Sequence, residues 1–390
     1  VEFLKASLVA LKERRLYRQI TEYVPVDGGH VRIGQRTCIL LASNNYLGLT
    51  HHSEVQQAAV KAVYAYGTGS GSSRLITGSH PLYQELEKEI AAFKGTEAAI
   101  VFNNGYMANI GTICALAGQG DTIFSDELNH ASIIDGCRLS GARVEIYRHG
   151  DVQDLARKLE AVRQGRKLVV TDGVFSMDGD IAPLVPILTT AKEHGAMVMV
   201  DDAHGTGVLG EQGSGTAEYY GVKGQVDIQM GTLSKALASE GGYVAGSKEL
   251  IAYLRNKARS FIFSTALAPA TVGAALAALR VLKQQPQLVA RLRHNAAYMR
   301  AGLEAAGLPV LPGITPIIPV MVVDAGLAMD FARRTAREGV IVAGIRPPAV
   351  PEWTSRLRIT VSAAHSRQDL DMALQILVAV SRELGLGKGT

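Results

Sequence analysis

The sequence predicts an α/β protein: a mostly parallel central sheet with helices on both faces, a smaller α+β C-terminal domain and an N-terminal arm. Three observations carry this prediction. Between about Thr50 and Gln284, short apolar runs alternate with segments of helical period, the pattern of strands joined by helical crossovers. At 390 residues the chain exceeds one comfortable core, so a large domain with smaller lobes is expected. Its 41 glycines exceed the usual share and signal tight turns and close backbone approaches.

Taken in order, residues up to about Arg18 read as a helix whose apolar positions alternate with Glu2, Lys5 and Lys12, a pattern that suits an amphipathic segment better than a signal peptide. Pro25 and Gly28-Gly29 then break the chain before short strands near 31–33 and 39–42, so residues 1–49 form an N-terminal helix and small-lobe segment. The large domain, residues 50–284, carries strands near 98–102, 122–124, 144–147, 168–171, 197–200, 226–230 and 243–245. Its last apolar stretch, 268–282, is too short to span a membrane and reads as a buried helix. In residues 285–390 a helix at 286–306 leads into strands near 317–323, 340–342 and 357–361 and helices at 327–338 and 367–384, an α+β domain, and 385–390 reads as a frayed tail.

A hydrophobic share of 47% with 19% charged residues is ordinary for a soluble α/β enzyme. The net charge of +4 is spread along the chain, and Arg14-Arg15 and Arg333-Arg334 are pairs, too short for a nucleic-acid stripe. A mildly basic balance suits anionic ligands. Cys38, Cys114 and Cys137 are odd in number, widely spaced and without a C-x-x-C pattern, which disfavours a disulfide framework or a zinc site and fits a reducing cytoplasm.

The chemistry concentrates in two segments. Asp201 falls at the carboxyl end of the apolar run 197–200, where open α/β sheets place their ligands, with His204 one short turn further on. Lys235 follows in Gly231-Thr232-Leu233-Ser234-Lys235. An amine that forms a Schiff base and a carboxylate that keeps a pyridine nitrogen protonated are the two groups pyridoxal phosphate (PLP) chemistry requires. Taken singly, Asp201 reads better as a helix cap and Lys235 as a solvated lysine; together with the segments that follow, that preference reverses.

Further segments support the pair. Residues 102–109 follow a strand and open a helix, so the amides of Gly105 and Tyr106 suit a phosphate, unless this is an ordinary strand-to-helix turn. His130, in a polar loop after 122–124, offers a ring to stack on an aromatic cofactor or acts as a cap. Ser176 offers a hydroxyl near that ring or forms a turn. Arg356 and Arg358 alternate on a strand and share a face, either to grip a carboxylate or to meet solvent or an ion pair. The glycine-rich stretch 67–78 matches neither the P-loop nor the dinucleotide fingerprint.

Seven blocks in order, at 43–49 (SNNYLGL), 69–78, 129–132 (NHAS), 172–179, 201–205 (DDAHG), 232–235 (TLSK) and 358–359 followed by 363–365 (AAH), resemble the α-oxoamine synthases. These are PLP enzymes of fold type I that condense an amino acid with an acyl-CoA and release carbon dioxide. The resemblance implies that Lys235 bonds the cofactor and acts as base at the amino-acid Cα, that Asp201 pairs with the pyridinium nitrogen, that His204 contacts the ring hydroxyl and that His130 stacks on the ring and meets substrate. Gly105, Tyr106, Ser176 and Thr232 would complete the cofactor shell. Ser264 and Thr265 resemble the segment sent into a neighbouring subunit's phosphate site, which implies a homodimer with shared active sites. Asn44 and Arg358 would hold the amino-acid carboxylate.

Within the family, residues 343–351 (AGIRPPAVP), 239–242 and 173–180 are similar to the branch that joins L-alanine to pimeloyl-CoA, or its carrier-protein thioester, in biotin synthesis. Ala349 stands where that branch usually has Thr, and Ser72 where it usually has Gly; Ala349 lacks a hydroxyl that would touch substrate. Arg18, after Leu16-Tyr17, resembles an N-terminal arginine that meets the acyl-CoA or its carboxylate. Branches that take glycine with acetyl-CoA, or serine with palmitoyl-CoA, share Lys235, Asp201 and His130. A catalytically silent subunit would keep the fold without needing those three.

Overall fold

The computed structural model of the protein describes residues 1–14 and 16–386; Arg15 and the expected tail beyond Leu386 lie outside the described residues. The chain forms two compact units, residues 1–43 with 294–390, and residues 44–293.

The chain opens with a helix at Glu2–Glu13, which ends short of the expected Arg18. None of its residues is buried, so no packed face prolongs it, and the amides of Leu16 and Tyr17 turn back onto the Leu11 carbonyl. Strands β1 (Val24–Pro25), β2 (His30–Ile33) and β3 (Arg36–Leu41) follow.

The larger unit is built on β4 (Ala98–Phe102), β5 (Thr122–Asp126), β6 (Arg143–Tyr147), β7 (Lys167–Asp172), β8 (Met197–Asp201), β9 (Ile228–Thr232) and β10 (Gly242–Gly246), in the spatial order β4-β10-β9-β8-β7-β5-β6. β6, β5, β7, β8 and β9 run parallel, and β10 is antiparallel to both of its neighbours. The mostly parallel sheet expected from the alternation is therefore present. Side chains alternate between its two faces. Leu168, Val170, Met199, Ile228 and Met230 pack with Ile113 and Ile133 on one face, and Val169, Val198 and Val200 pack with Leu155, Leu184 and Ile187 on the other. Burial on both faces explains why these strands read as unbroken apolar runs.

β9 starts later than the expected 226–230. Asp227 turns its carboxylate onto the Val198 amide at 2.8 Å instead of joining the ladder, and the strand runs on to Thr232. The apolar stretch after the larger sheet is a helix at Pro269–Gln284 with a buried face, as expected.

In the smaller unit β11 (Ile317–Val323), β12 (Val340–Ile345) and β13 (Ser355–Thr360) join the first three strands in one sheet of order β1-β2-β3-β12-β13-β11. The join is β3 running parallel to β12, with Ile39 opposite Val340. Helices Ala325–Glu338 and Arg367–Glu383 complete the unit, started by Asp324 as a side-chain cap and by a capping box on Ser366 and Asp369. Among the described residues no helix is long and apolar enough to cross a membrane.

Candidate active site

Four adjacent parallel strands end on polar residues: β5 on Asp126, β7 on Asp172, β8 on Asp201 and β9 on Thr232. Ligands of open parallel sheets bind at this edge, where loops and helix N-termini gather. A cavity of about 230 Å³ lies there, lined by Asp201, Thr232, Lys235 and His204 from the β8 and β9 ends. Gly105, Tyr106, His130 and Ser176 from neighbouring loops close its wall. The structure thus gathers eight residues that the sequence scatters over 131 positions, from Gly105 to Lys235.

Each side chain is held by a local device. Asn104 caps the helix Gly105–Leu116 by accepting the Met107 amide hydrogen at 2.8 Å, which leaves the first amides of that helix at the cavity wall. On the same helix Asn109 donates to Asp201 Oδ2 at 2.7 Å and to Ser132 Oγ at 2.8 Å. The Ser132 hydroxyl lies 2.7 Å from His130 Nδ1, and the Ser132 amide also donates to that nitrogen at 3.3 Å. His130 Nδ1 is therefore an acceptor, and a neutral ring carries its proton on Nε2. Burial holds the His130 imidazole below the ordinary histidine range, which favours that neutral ring.

Two carboxyl groups end neighbouring strands, Asp172 opposite Asp201. Asp201 accepts from Asn109 and, through its other oxygen, from the Ala203 amide at 3.0 Å. Burial, and then the charge of Asp201, push Asp172 well above the usual carboxylate range, which favours its neutral form. It still accepts the His130 amide hydrogen at 2.8 Å, fixing the start of the helix Ala131–Ser140. His204 Nδ1 lies 2.6 Å from the buried Tyr46 hydroxyl. The Thr232 hydroxyl donates to the Gly241 carbonyl at 2.9 Å and lies 2.6 Å from Ser234 Oγ. Lys235 is partly buried and opens a tight turn, its carbonyl accepting from the Ala238 amide at 3.0 Å. Ala238 adopts a left-handed φ of 51°, a strained conformation for a residue with a Cβ.

Behind Asp201 lies a buried ion pair. Lys94 Nζ is 2.6 Å from Asp202 Oδ2 and donates to the Ser214 carbonyl at 2.6 Å, and Asp202 also accepts from the Thr216 hydroxyl at 2.6 Å. Burial works against the Lys94 charge, but the facing Asp202 outweighs it and keeps the ammonium protonated.

The other expected site residues have the following local surroundings. Ser264 and Thr265 do not line the cavity; Thr265 pairs with Ser73 and its carbonyl accepts from Asn103 at 2.7 Å, next to Phe263, which is 70% exposed. Asn44 is partly buried, its Oδ1 3.3 Å from the Tyr46 hydroxyl. In the smaller unit Arg18 and Ala349 line one groove of about 930 Å³ together with Arg346, whose guanidinium donates to the Tyr17 carbonyl at 3.0 Å. Arg358 is buried on β13 and donates to Thr360 Oγ1 at 3.0 Å; Arg356 is buried as well, so neither faces solvent. Asn109, Ser132, Tyr46 and Asp172 carry contacts that no local sequence pattern assigns to them. Asn109 had one usable signal, lying four residues after Gly105 and so on the same helix face.

The chain matches the family "Aminotransferase class I and II" over residues 36–377 and belongs to it. The architecture is that of fold type I, with the expected mostly parallel sheet and helices on both faces. The chain is 50% identical over 386 residues to 8-amino-7-oxononanoate synthase from Geobacter sulfurreducens, covering 98% of this chain and 99% of the relative. Among solved structures it resembles serine palmitoyltransferase from S. paucimobilis with a bound PLP–myriocin aldimine, at a TM-score of 0.92 and 34% identity, covering 98% of this chain and 97% of the other. It also resembles 8-amino-7-oxononanoate synthase from Francisella tularensis, at a TM-score of 0.77 and 28% identity, covering 89% and 98%.

Proposed function

We propose that this chain is a PLP-dependent acyltransferase that condenses L-alanine with pimeloyl-CoA, or a pimeloyl carrier-protein thioester, to give 8-amino-7-oxononanoate, the free thiol and carbon dioxide in biotin synthesis. The observation that carries this reading is the full-length 50% identity to a relative of that name, joined to a cavity that holds Lys235, Asp201 and His130 together. The donor set fits the cofactor: an amine, a carboxylate, a neutral imidazole, hydroxyls and a helix N-terminus meet in one cavity, and Asn109 Oδ1 in its wall is a buried acceptor without a partner. Lys235 would bond the aldehyde carbon, Asp201 the ring nitrogen, His204 the ring hydroxyl, and Gly105, Tyr106 and Thr232 the phosphate side. When bound, PLP supplies an electron sink for the charge that develops at the amino-acid Cα.

The remaining steps belong to the protein's own side chains. Lys235, freed by the incoming amino acid, takes the Cα proton of alanine and later returns one. Asp201, held by two donors, would face the ring nitrogen, and burial beside it favours the neutral form of Asp172. His130, neutral and fixed by Ser132, covers one face of the site with a flat ring. As Cα joins the thioester carbonyl the thiol departs, and the alanine carboxyl then leaves as carbon dioxide. Arg358 and Asn44 serve to orient that carboxylate, and Arg18 and the groove beside Ala349 serve the acyl partner. Ser264 and Thr265, with Phe263 exposed beside them, support a homodimer in which this segment serves the partner's site.

Backbone likeness alone favours serine palmitoyltransferase over the Francisella enzyme, but it reports the chain trace and not the acyl pocket. Identity of 50% over the whole chain weighs more for substrate choice. Thiol release tests the reading: alanine with pimeloyl-CoA should release thiol, and Lys235→Ala should slow that release by about 10³-fold. Thiol release with glycine and acetyl-CoA alone would sink it.

A further inference from the structure

Outside the cavity, His149 sits between two carboxylates. Its Nδ1 is 3.0 Å from Asp126 Oδ1 and its Nε2 is 2.8 Å from Asp180 Oδ2. A neutral imidazole has a single N–H and can donate to only one of them, so both contacts require the imidazolium. Burial works against the charge, but the two carboxylates outweigh it and raise His149 to about 10. The ring meets Phe175 edge-on, centroids 4.4 Å apart.

Both ends of this bridge lead to the cavity. Asp126 ends β5 and accepts the Leu128 and Gly150 amide hydrogens at 2.9 Å each, at the start of the loop that carries His130. Asp180 closes the loop that carries Ser176: the Phe175 amide donates to the Asp180 carbonyl at 3.0 Å, and Val174 bridges Ile181. The second Asp180 oxygen is buried without a partner, so among the described residues His149 is what compensates that carboxylate. The His149 amide itself donates to Glu127 at 2.8 Å, and the adjacent Arg148 pairs with Asp151.

We infer that His149 is a positioning residue: the Asp126–His149–Asp180 clamp fastens the loop at 173–181 to the end of β5 and so sets Ser176 against His130 in the cofactor site. The bridge has no contact with the reacting atoms and acts only through those two loops. Its functional meaning rests on the cavity being a PLP site, but its mechanical meaning does not.

Two measurements test it. Amide hydrogen exchange, run without ligand on the full chain and on His149→Ala, should accelerate in 127–130 and 173–181 and stay unchanged in β8 and β9; unchanged exchange in 173–181, or a rise across the whole sheet, would overturn the clamp. In the PLP-loaded protein, His149→Ala and Ser176→Ala should each weaken PLP about tenfold, and the double variant should lose no more than either single change. Additive losses would mean that His149 does not act through Ser176. His149→Lys, which restores one charged contact, should recover part of the affinity, whereas His149→Gln should not. If the unaltered protein failed to bind PLP, the proposed function would fall while the exchange result still decided the clamp.

Discussion

Lys235 and Asp201 make opposite demands on their surroundings: the amine must be reachable, whereas the carboxylate must be held. The structure meets both, with Lys235 partly buried at a turn and Asp201 accepting from Asn109 and Ala203 at the end of β8. Lys235→Ala should lower kcat by about 10³-fold and remove borohydride-reducible attachment of PLP, read by mass spectrometry. The two neighbouring aspartates should respond unequally. Asp201→Asn should cost about 10²-fold in kcat, whereas Asp172→Asn, which mimics the neutral carboxyl that burial favours, should stay within about threefold by steady-state kinetics. The clamp predicts a pH signature. A group whose folded value is raised, from 6.5 to about 10 for His149, contributes stability fully below 6.5 and loses it as pH rises through about 10. The difference in urea midpoint between the unaltered protein and His149→Ala should therefore shrink across that window, with Asp126 and Asp180 the carboxylates that face the ring and Glu127 bonded only to the His149 backbone amide. The convergence of His130, Asp201 and Lys235 on one cavity was legible in the sequence because few chemistries need a ring, an acid after a strand and an amine in that order. Asn109 and Tyr46 were not, because their roles are contacts across 92 and 158 residues that no local pattern encodes.

The helix Gly105–Leu116 and the strands that end beneath it form the working element of the site. Its start is set by one side chain, so Asn104→Ala should cost about 1 kcal/mol in urea unfolding and weaken PLP binding by fraying the amides at the cavity wall. Gly242 on β10 lies against the same turn, where an added Cβ would stand 2.5 Å from the Asn104 carbonyl oxygen. Strands buried on both faces were readable to within a few residues, since continuous apolar runs between polar turns have few other solutions. The errors fell where packing and not pattern decides. The first helix stops at Glu13 because nothing buries its later turns, and β9 slides toward Thr232 because Asp227 bonds the Val198 amide.

For the whole molecule, chain order and spatial order part company in the smaller unit. Residues 36–41 and 340–345 are neighbours in one sheet although some 300 positions lie between them, a pairing that local reading has no means to see. In the larger unit the buried Lys94–Asp202 pair ties the end of helix Pro81–Lys94 to the loop after β8, beside Asp201. Lys94→Met would leave the Asp202 carboxylate uncompensated and should cost about 3–5 kcal/mol in denaturant unfolding. Substrate choice is a property of the whole protein, and a single competition measures it. Purified PLP-loaded protein is given alanine, glycine and serine together with pimeloyl-, acetyl- and palmitoyl-CoA, and the amino ketones formed are weighed by mass spectrometry. 8-Amino-7-oxononanoate should dominate; a dominant product from glycine and acetyl-CoA, or from serine and palmitoyl-CoA, would contradict the proposed function.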